Sequence, residues 1–203
     1  MSKALSNNLT EELDTSFYLD NPKKIFILSM LSCGIYDFLW FYRHWRHYKR
    51  RAIALTKINQ LDPDIYPKDL DIIPFWSAFF MGWYIVGVAR RIRNKMKSSG
   101  FSNFETGPWW AWLFFGNSFL IFFEATADIN LNLMIYLLDL IFVALSSWQT
   151  TRLQIKANEY MTLSNECPQI VEAHYKKWDL IVLLLGFMFG FFVLIGTLFA
   201  SLA

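Results

Sequence analysis

Four stretches of the chain are long and apolar enough to predict membrane-spanning helices. They cover residues 25–42, 108–124, 131–148 and 180–202. About 18 helical residues at roughly 1.5 Å each extend about 27 Å, close to the hydrocarbon thickness of a bilayer. A fifth apolar run, 74–89, is shorter and leads directly into a basic segment that ends at residue 97. The pattern predicts an all-α integral membrane protein with about four transmembrane helices plus amphipathic or re-entrant interfacial helices.

Basic and aromatic positions follow the first run at helical spacing. Phe41, Trp45 and Tyr48 fall on one face of a continuing helix, whereas Arg43 and Arg46 fall largely on the other. Such a helix is predicted to lie in the plane of the membrane surface, with its cations toward anionic headgroups. The predicted headgroup contacts in this segment and in the basic segment after residue 89 are Arg43, Arg46, Lys49, Arg50, Arg51, Arg90, Arg91 and Arg93.

The clustering of charge predicts an orientation, although the net charge is only +2. Basic loops stay in the cytoplasm, so both basic blocks are placed there, with four crossings and both chain ends outside. Residues 74–97 then form an interfacial or re-entrant helix. Gly34 and Asp37 interrupt the first run, which leaves an alternative: residues 25–42 form a re-entrant hairpin, the N-terminus lies inside, and three segments cross.

The same pattern divides the chain into three regions. Residues 1–22 form a polar and acidic N-terminal tail without the features of a secretory signal. Residues 23–165 form the membrane domain, and residues 166–203 form a cytoplasmic link and the last transmembrane helix. Cys33 lies in an apolar run and Cys167 in a polar segment, so no disulfide between them is expected.

A few polar side chains are predicted to lie inside the membrane, where they are costly and therefore candidates for function. Asp139 lies in the middle of one predicted span, with Asn117 and Ser118 as partners from the preceding span and Asp37 in the first run. Two interpretations of Asp139 stay open. It acts in a proton relay or transporter, or, as the sequence favours, it holds two helices together through a hydrogen bond.

Three glycines in the last apolar run, Gly186, Gly190 and Gly196, predict close helix packing, within the protein or against a partner. His44 and His47 stand among arginines, whose positive charge disfavours a bound metal. No catalytic or cofactor-binding motif is recognisable in the sequence. We therefore expect a protein that is not an enzyme, with no metal and no cofactor.

Two sequence elements resemble a family of small, uncharacterised bacterial inner-membrane proteins, a domain of unknown function. The first is Gly34-Ile35-Tyr36 with the aromatic residues up to Tyr42, followed by a basic segment, and the second is the run PFWSAFF that begins at Pro74. A segment with Gln149, Arg152 and Asn158 resembles the family's closing element. The link over residues 52–73 and Ser77 depart from the family pattern. The resemblance implies a bacterial inner-membrane location and no particular activity.

These observations lead to a non-catalytic accessory or structural subunit of a larger membrane complex. It would bind anionic lipid through the basic interfacial helices and would associate with other integral membrane subunits or with itself, not with nucleic acid. The alternative is a small transporter or channel-like protein that uses Asp139, and an enzyme acting on lipids comes third.

Overall fold

The computed structural model describes residues 15–57, 71–101, 133–167 and 171–202, and all regular structure in these ranges is helical. The all-helical prediction is confirmed for this part of the chain. The predicted span 108–124 lies outside it. The helices are α1 (Pro22–Leu31), α2 (Ile35–Lys57), α3 (Pro74–Phe79), α4 (Met81–Ser98), α5 (Leu133–Leu163) and α6 (Lys177–Leu202).

The first apolar run is not one helix, because the backbone turns between α1 and α2. Cys33 and Gly34 both adopt positive φ, 51° and 84°, a conformation that glycine tolerates and that ends the α-helical path. Lys24, near the start of α1, and Arg43, nine residues into α2, both pair with Asp179, so the chain returns to the same level after the turn. The prediction of one continuous helix over residues 25–42 is therefore wrong, and α1 and α2 form a helical hairpin.

The helix α2 is the centre of the described structure. Tyr36, Trp40, Phe41 and Trp45 are among its largest fully buried side chains, and His44 is buried between them. The buried residues of α2 occupy about half of its circumference, including the predicted face of Phe41, Trp45 and Tyr48, whereas Arg46 and Arg50 are exposed on the other side. The buried face packs against the rest of this chain, and the in-plane placement of the helix at a membrane surface stays a prediction. Large aromatic side chains bury much apolar area each, so a helix this rich in them favours the interior.

Residues 15–20 belong to the core, although the sequence predicts a polar tail over residues 1–22. The Phe17 ring contacts the ring of Tyr160 at a centroid distance of 5.6 Å. The backbone carbonyl of Thr15 lies 3.0 Å from His47 Nε2, and the Ser16 hydroxyl donates to Glu166 at 2.8 Å. The end of the predicted tail thus packs between α2 and α5.

The long helix α5 runs parallel to α2. Three contacts follow the same order along both helices. A Cβ atom added to Gly34 would lie 4.0 Å from Val143, Asp37 lies near Ser146, and the indole of Trp40 donates a hydrogen bond to Gln154. Because Val143 lies beside the hairpin turn, the ten residues of α5 before it extend beyond that turn. This extension is about 15 Å long at the usual helical rise.

Helices α3 and α4 are short neighbours of the hairpin on its α2 side. Phe75 of α3 contacts Phe38 of α2 at a centroid distance of 5.6 Å, and Tyr84 of α4 contacts Trp45 at 5.5 Å. A Cβ atom added to Gly87 would lie 3.7 Å from the Trp45 ring, an ordinary van der Waals distance. Several large apolar side chains on α3 and at the start of α4 remain exposed: Phe75, Trp76, Phe79, Phe80 and Trp83.

One helix in the described ranges is long and apolar enough to cross a membrane. It covers Lys177–Gly196 in α6, with a mean hydropathy of 2.5. Only 11% of its apolar window is buried, which distinguishes it from the core helix of a soluble protein. The four transmembrane helices that the sequence predicts are not all present among the described residues, where one helix meets these criteria.

Candidate functional site

A cluster of buried charges lies where α1, α2 and the start of α6 meet. Lys24 Nζ lies 2.8 Å from a carboxylate oxygen of Asp20 and 3.1 Å from one of Asp179. Arg43 approaches the other oxygen of Asp179 at 2.6 Å. The Asp179 side chain is fully buried, and those of Lys24 and Arg43 are 1% and 11% exposed. Two cations and two carboxylates balance each other, as buried charges require.

Local sequence features hold this charge cluster in place. Asn21 caps α1 by accepting the backbone N–H of Lys24, and its amide donates to the carbonyl of Val171 at 2.7 Å. Asp179, in the first turn of α6, accepts the backbone N–H of Lys176 at 2.8 Å. Lys24 also donates to the carbonyl of His174 at 2.9 Å. The cluster therefore ties the segment before α6 to the start of the hairpin.

One tyrosine and two amide side chains extend the charge cluster into the core. The Tyr36 hydroxyl lies between Asp20 and Arg43, at 3.4 Å and 3.3 Å. Asn158 of α5 donates to the Asp20 carbonyl at 2.9 Å and accepts from Gln154 at 2.7 Å. Gln154 in turn accepts from the indole N–H of Trp40 at 2.7 Å. Each of these buried polar groups has a partner, as a stable interior demands.

Asp37 forms a second polar site, at the other end of the hairpin. Its carboxyl group is 1% exposed and accepts a hydrogen bond from Ser29 of α1 at 2.7 Å. Ser146 of α5 approaches its second oxygen at 3.5 Å, and Thr150 is also a neighbour. The sequence predicted Asp37 as an intramembrane polar residue but did not predict these hydroxyl partners.

The eight predicted headgroup contacts differ in how far their side chains are exposed. Arg43 is wrong as a headgroup contact because it pairs with buried Asp179. Arg91 lies over the rings of Tyr48 and Trp45, 3.7 Å and 4.6 Å from their centroids. Lys49 donates to the carbonyl of Ile72 at 3.0 Å, and Arg51 is half-buried. The exposed ones among these eight are Arg46, Arg50, Arg90 and Arg93, which we call the exposed arginines.

The two histidines of α2 are buried rather than interfacial. Burial lowers the pKa of His44 to about 3, and His47 and Arg91 push the pKa in the same direction. The neutral ring packs against Phe17 and Trp40. No group of three potential metal ligands occurs within the described ranges.

Two of the three glycines on α6 contact the hairpin turn. A Cβ atom at Gly186 would lie 2.3 Å from the Cα of Ser32, and one at Gly190 would lie 2.7 Å from the Cys33 sulfur. Gly196 has no heavy atom within 4 Å of such a Cβ. The close packing that the glycine spacing predicts is thus, for Gly186 and Gly190, packing within this chain.

The remaining intramembrane candidates lie outside the described residues. Asn117 and Ser118 belong to the range 102–132, and Asp139 lies in α5, where its side chain is not described. Sequence reasoning missed Asp20, Lys24 and Asp179 as a site. The available signal was a charge one turn inside each of two apolar helices, at Lys24 and Asp179. Such a charge needs a buried partner unless the helix end reaches water.

No family model matches this chain, and no curated protein or solved structure is detectably similar to it. The family resemblance of the sequence elements stays a prediction, and any function must be argued from the arrangement of the residues themselves.

Proposed function

We propose that this protein is a non-catalytic accessory subunit of a bacterial inner membrane, held there by α6 and by a re-entrant α1–α2 hairpin. Its exposed arginines bind anionic lipid headgroups. The observation that carries the proposal is the register between the hairpin and α6, that is, which residues of the hairpin lie beside which residues of α6. The charge cluster joins them at one end, and Gly186 and Gly190 join them at the other.

From that register we infer how deep in the bilayer the hairpin turn lies. Asp179 and Gly186 are seven residues apart, and Asp179 and Gly190 are eleven apart. At about 1.5 Å per residue, the turn contacts α6 about 10–16 Å from the charge cluster. A hydrocarbon core is about 30 Å thick. A hairpin anchored at the start of the span thus reaches roughly the middle of the bilayer and returns.

The parts that extend beyond the turn fit the deeper half of the bilayer. The first ten residues of α5 and the last twelve of α6 lie on that side. Leu137 and Ile141 of α5, and Phe191, Phe192 and Phe199 of α6, are exposed. This surface favours lipid chains or the helices of a larger membrane complex as its surroundings.

The exposed arginines lie at the opposite end of the hairpin, near the level of the charge cluster. Arg46 follows Arg43 by one helical turn and Arg50 by two, about 5 and 10 Å farther from the turn. Arg90 neighbours Arg91, which packs on Tyr48 at the same level. Headgroup layers are about 5–8 Å thick on each side. Positive charge at this end favours the cytoplasmic side.

The aromatic surface of α3 and the start of α4 fits the same placement. Phe75 contacts Phe38, which lies between the turn and the charge cluster. Trp83, 70% exposed, precedes Tyr84, which contacts Trp45 close to the level of the charge cluster, so Trp83 lies near the boundary between hydrocarbon and headgroups. Tryptophan favours that boundary because its ring is apolar and its N–H is polar.

The experiment that tests this placement is impermeant thiol labelling in intact cells, in a Cys167→Ser background. Lys23→Cys and Arg50→Cys lie at the outer ends of α1 and α2, and both side chains are exposed. Both should resist labelling until the membrane is opened, whereas Ala203→Cys should label from outside. The parent that retains Cys33 gives the background signal. Labelling of Lys23→Cys and Arg50→Cys from opposite sides of the membrane would rule out the re-entrant hairpin.

The accessory role has its own measurement. Native mass spectrometry after extraction in mild detergent should find the chain in a stoichiometric complex with a larger integral membrane protein. A chain that runs always as a lone monomer, with the labelling result intact, would leave the membrane placement standing and reject the accessory role.

A further inference from the structure

The carboxyl group of Asp37 is buried at the hairpin turn, and its partners are neutral. Ser29 donates to Oδ1 at 2.7 Å, Ser146 Oγ lies 3.5 Å from Oδ2, and Thr150 completes the set. All three are hydroxyl groups. A carboxylate is an acceptor only, so each partner would have to supply a proton if Asp37 were ionised.

Two of these hydroxyl groups also face backbone carbonyl oxygens of α5. Ser146 Oγ lies 3.0 Å from the carbonyl of Val143, closer than it lies to Asp37, and Thr150 Oγ1 lies 3.1 Å from the carbonyl of Ser146. A hydroxyl group has a single proton to donate. Ser146 and Thr150 therefore share their protons between a helix carbonyl and Asp37, so they are weak donors to an ionised carboxylate, while their lone pairs can accept from a protonated one.

The start of α2 does not supply the missing donors. A helix N-terminus favours negative charge through its free N–H groups. Here the N–H of Ile35 donates to the Ser32 carbonyl, that of Tyr36 to the Ser32 hydroxyl, and that of Asp37 to the Gly34 carbonyl. The first three N–H groups of α2 are thus occupied.

No charged partner within the described ranges compensates an ionised Asp37. Lys24, Arg43 and Asp179 are engaged with one another at the other end of the hairpin, and Tyr36 directs its hydroxyl group there. Other titratable groups on the surrounding elements include Lys23 on α1, Cys33 in the turn, and Arg152, Lys156 and Tyr160 on α5, together with Asp139, whose side chain is not described. Lys156 pairs with Glu159, and Arg152 packs on Trp148.

We propose that Asp37 is a proton-binding site, occupied by a proton at pH values where exposed aspartates are ionised. The protonated carboxyl accepts from Ser29 through Oδ1 and donates its one proton through Oδ2 to a lone pair of Ser146. The bound proton joins α1, α2 and α5 at the turn. Its release leaves an uncompensated charge there and weakens the packing of the turn on α5. This goes beyond the anchoring role and does not depend on it.

The test compares the thermal stability of the full chain and Asp37→Asn in lipid nanodiscs at about pH 5 and about pH 8. The amide has the donor and acceptor pattern of the protonated carboxyl, so the variant should match the parent at pH 5. At pH 8 the parent should melt at a lower temperature than the variant, because only the parent ionises. Asp71→Asn, at an exposed position, should not change the difference between the two pH values.

Infrared difference spectra give a second readout. The protonated-carboxyl band at about pH 5, where an aspartate with a pKa of about 3.9 is ionised, should disappear in Asp37→Asn and persist in Asp71→Asn. The proposal is overturned if this band is the same in the parent and in Asp37→Asn, or if Asp37→Asn fails to fold. It is also overturned if Asp37→Asn is destabilised relative to the parent more at pH 8 than at pH 5. A sodium-dependent stabilisation of the parent that Asp37→Asn abolishes would identify a metal-cation site instead and reject the proton site.

Discussion

Asp179 and its two cationic partners show how strongly one residue can depend on its neighbours. Removing water from an ion is costly, and the opposite charge recovers that cost only while both partners are present. Asp179 faces Lys24 at 3.1 Å and Arg43 at 2.6 Å, without exposure to water. Loss of this carboxylate leaves two buried cations with one anion.

We therefore expect Asp179→Asn to lower the free energy of unfolding by about 3–5 kcal/mol, measured by denaturation in detergent. Glu159→Gln is the control: Glu159 pairs with Lys156 at 2.6 Å, but the two side chains are 42% and 30% exposed, so its loss should cost no more than about 1 kcal/mol. The double variant Arg43→Met/Asp179→Leu restores the charge balance and should recover part of the loss. Equal costs for Asp179→Asn and Glu159→Gln would contradict a buried charge cluster.

At the scale of elements, the contact between α6 and the hairpin turn is a close approach of two backbones. Gly186 lies against the backbone of Ser32, where a Cβ atom would have three backbone atoms within 2.6 Å. Backbone cannot move aside as a flexible side chain can, so the whole helix would have to shift. The glycine is required here by space rather than by its conformational freedom.

Gly186→Ala should destabilise the protein by about 1–3 kcal/mol, the usual cost of overpacking a tight contact. Gly196→Ala is the matched control in the same helix, since a Cβ atom added there would have no heavy atom within 4 Å. In a helix interior that substitution should be neutral or stabilise by up to about 1 kcal/mol. Thermal unfolding of both variants in one detergent separates the two results. A Gly186→Ala variant as stable as the parent would mean that α6 does not pack on the turn.

At the scale of the whole molecule, the described residues form a basic surface at one end of the hairpin and an apolar surface at the other. Arg46, Arg50, Arg90 and Arg93 are exposed at the first, and the phenylalanines of α6 beyond Gly190 are exposed at the second. A basic residue near an anionic membrane surface contributes about 1 kcal/mol of attraction. Four such residues would together contribute up to about 4 kcal/mol.

We expect nanodiscs that contain phosphatidylglycerol to raise the melting temperature of the protein relative to purely zwitterionic nanodiscs. Replacing Arg46, Arg50, Arg90 and Arg93 by glutamine should abolish that rise, whereas replacing them by lysine should retain most of it. At about 1 M salt the rise should shrink, because the screening length falls to about 3 Å. A rise that survives in the glutamine variant would show that these residues do not bind the headgroups.

The amino-acid sequence by itself determined the helical class, the apolar length of α6 and the need for glycine near its middle. These follow from hydrophobic periodicity and residue size, which act over a few neighbouring positions. The sequence also showed that Gly34 interrupts the first apolar run. It did not decide between a crossing helix and a re-entrant hairpin, because one glycine is compatible with both.

Only the tertiary structure decided between those two paths and brought distant charges together. Asp20, Lys24 and Asp179 lie more than 150 residues apart at their extremes, and each looked like a charge at the edge of an apolar run. Burial of residues 15–20 likewise depends on a groove that α2 and α5 form together. Partner choice for a buried charge is a property of the packed state, because no local pattern encodes which distant ion will neutralise it.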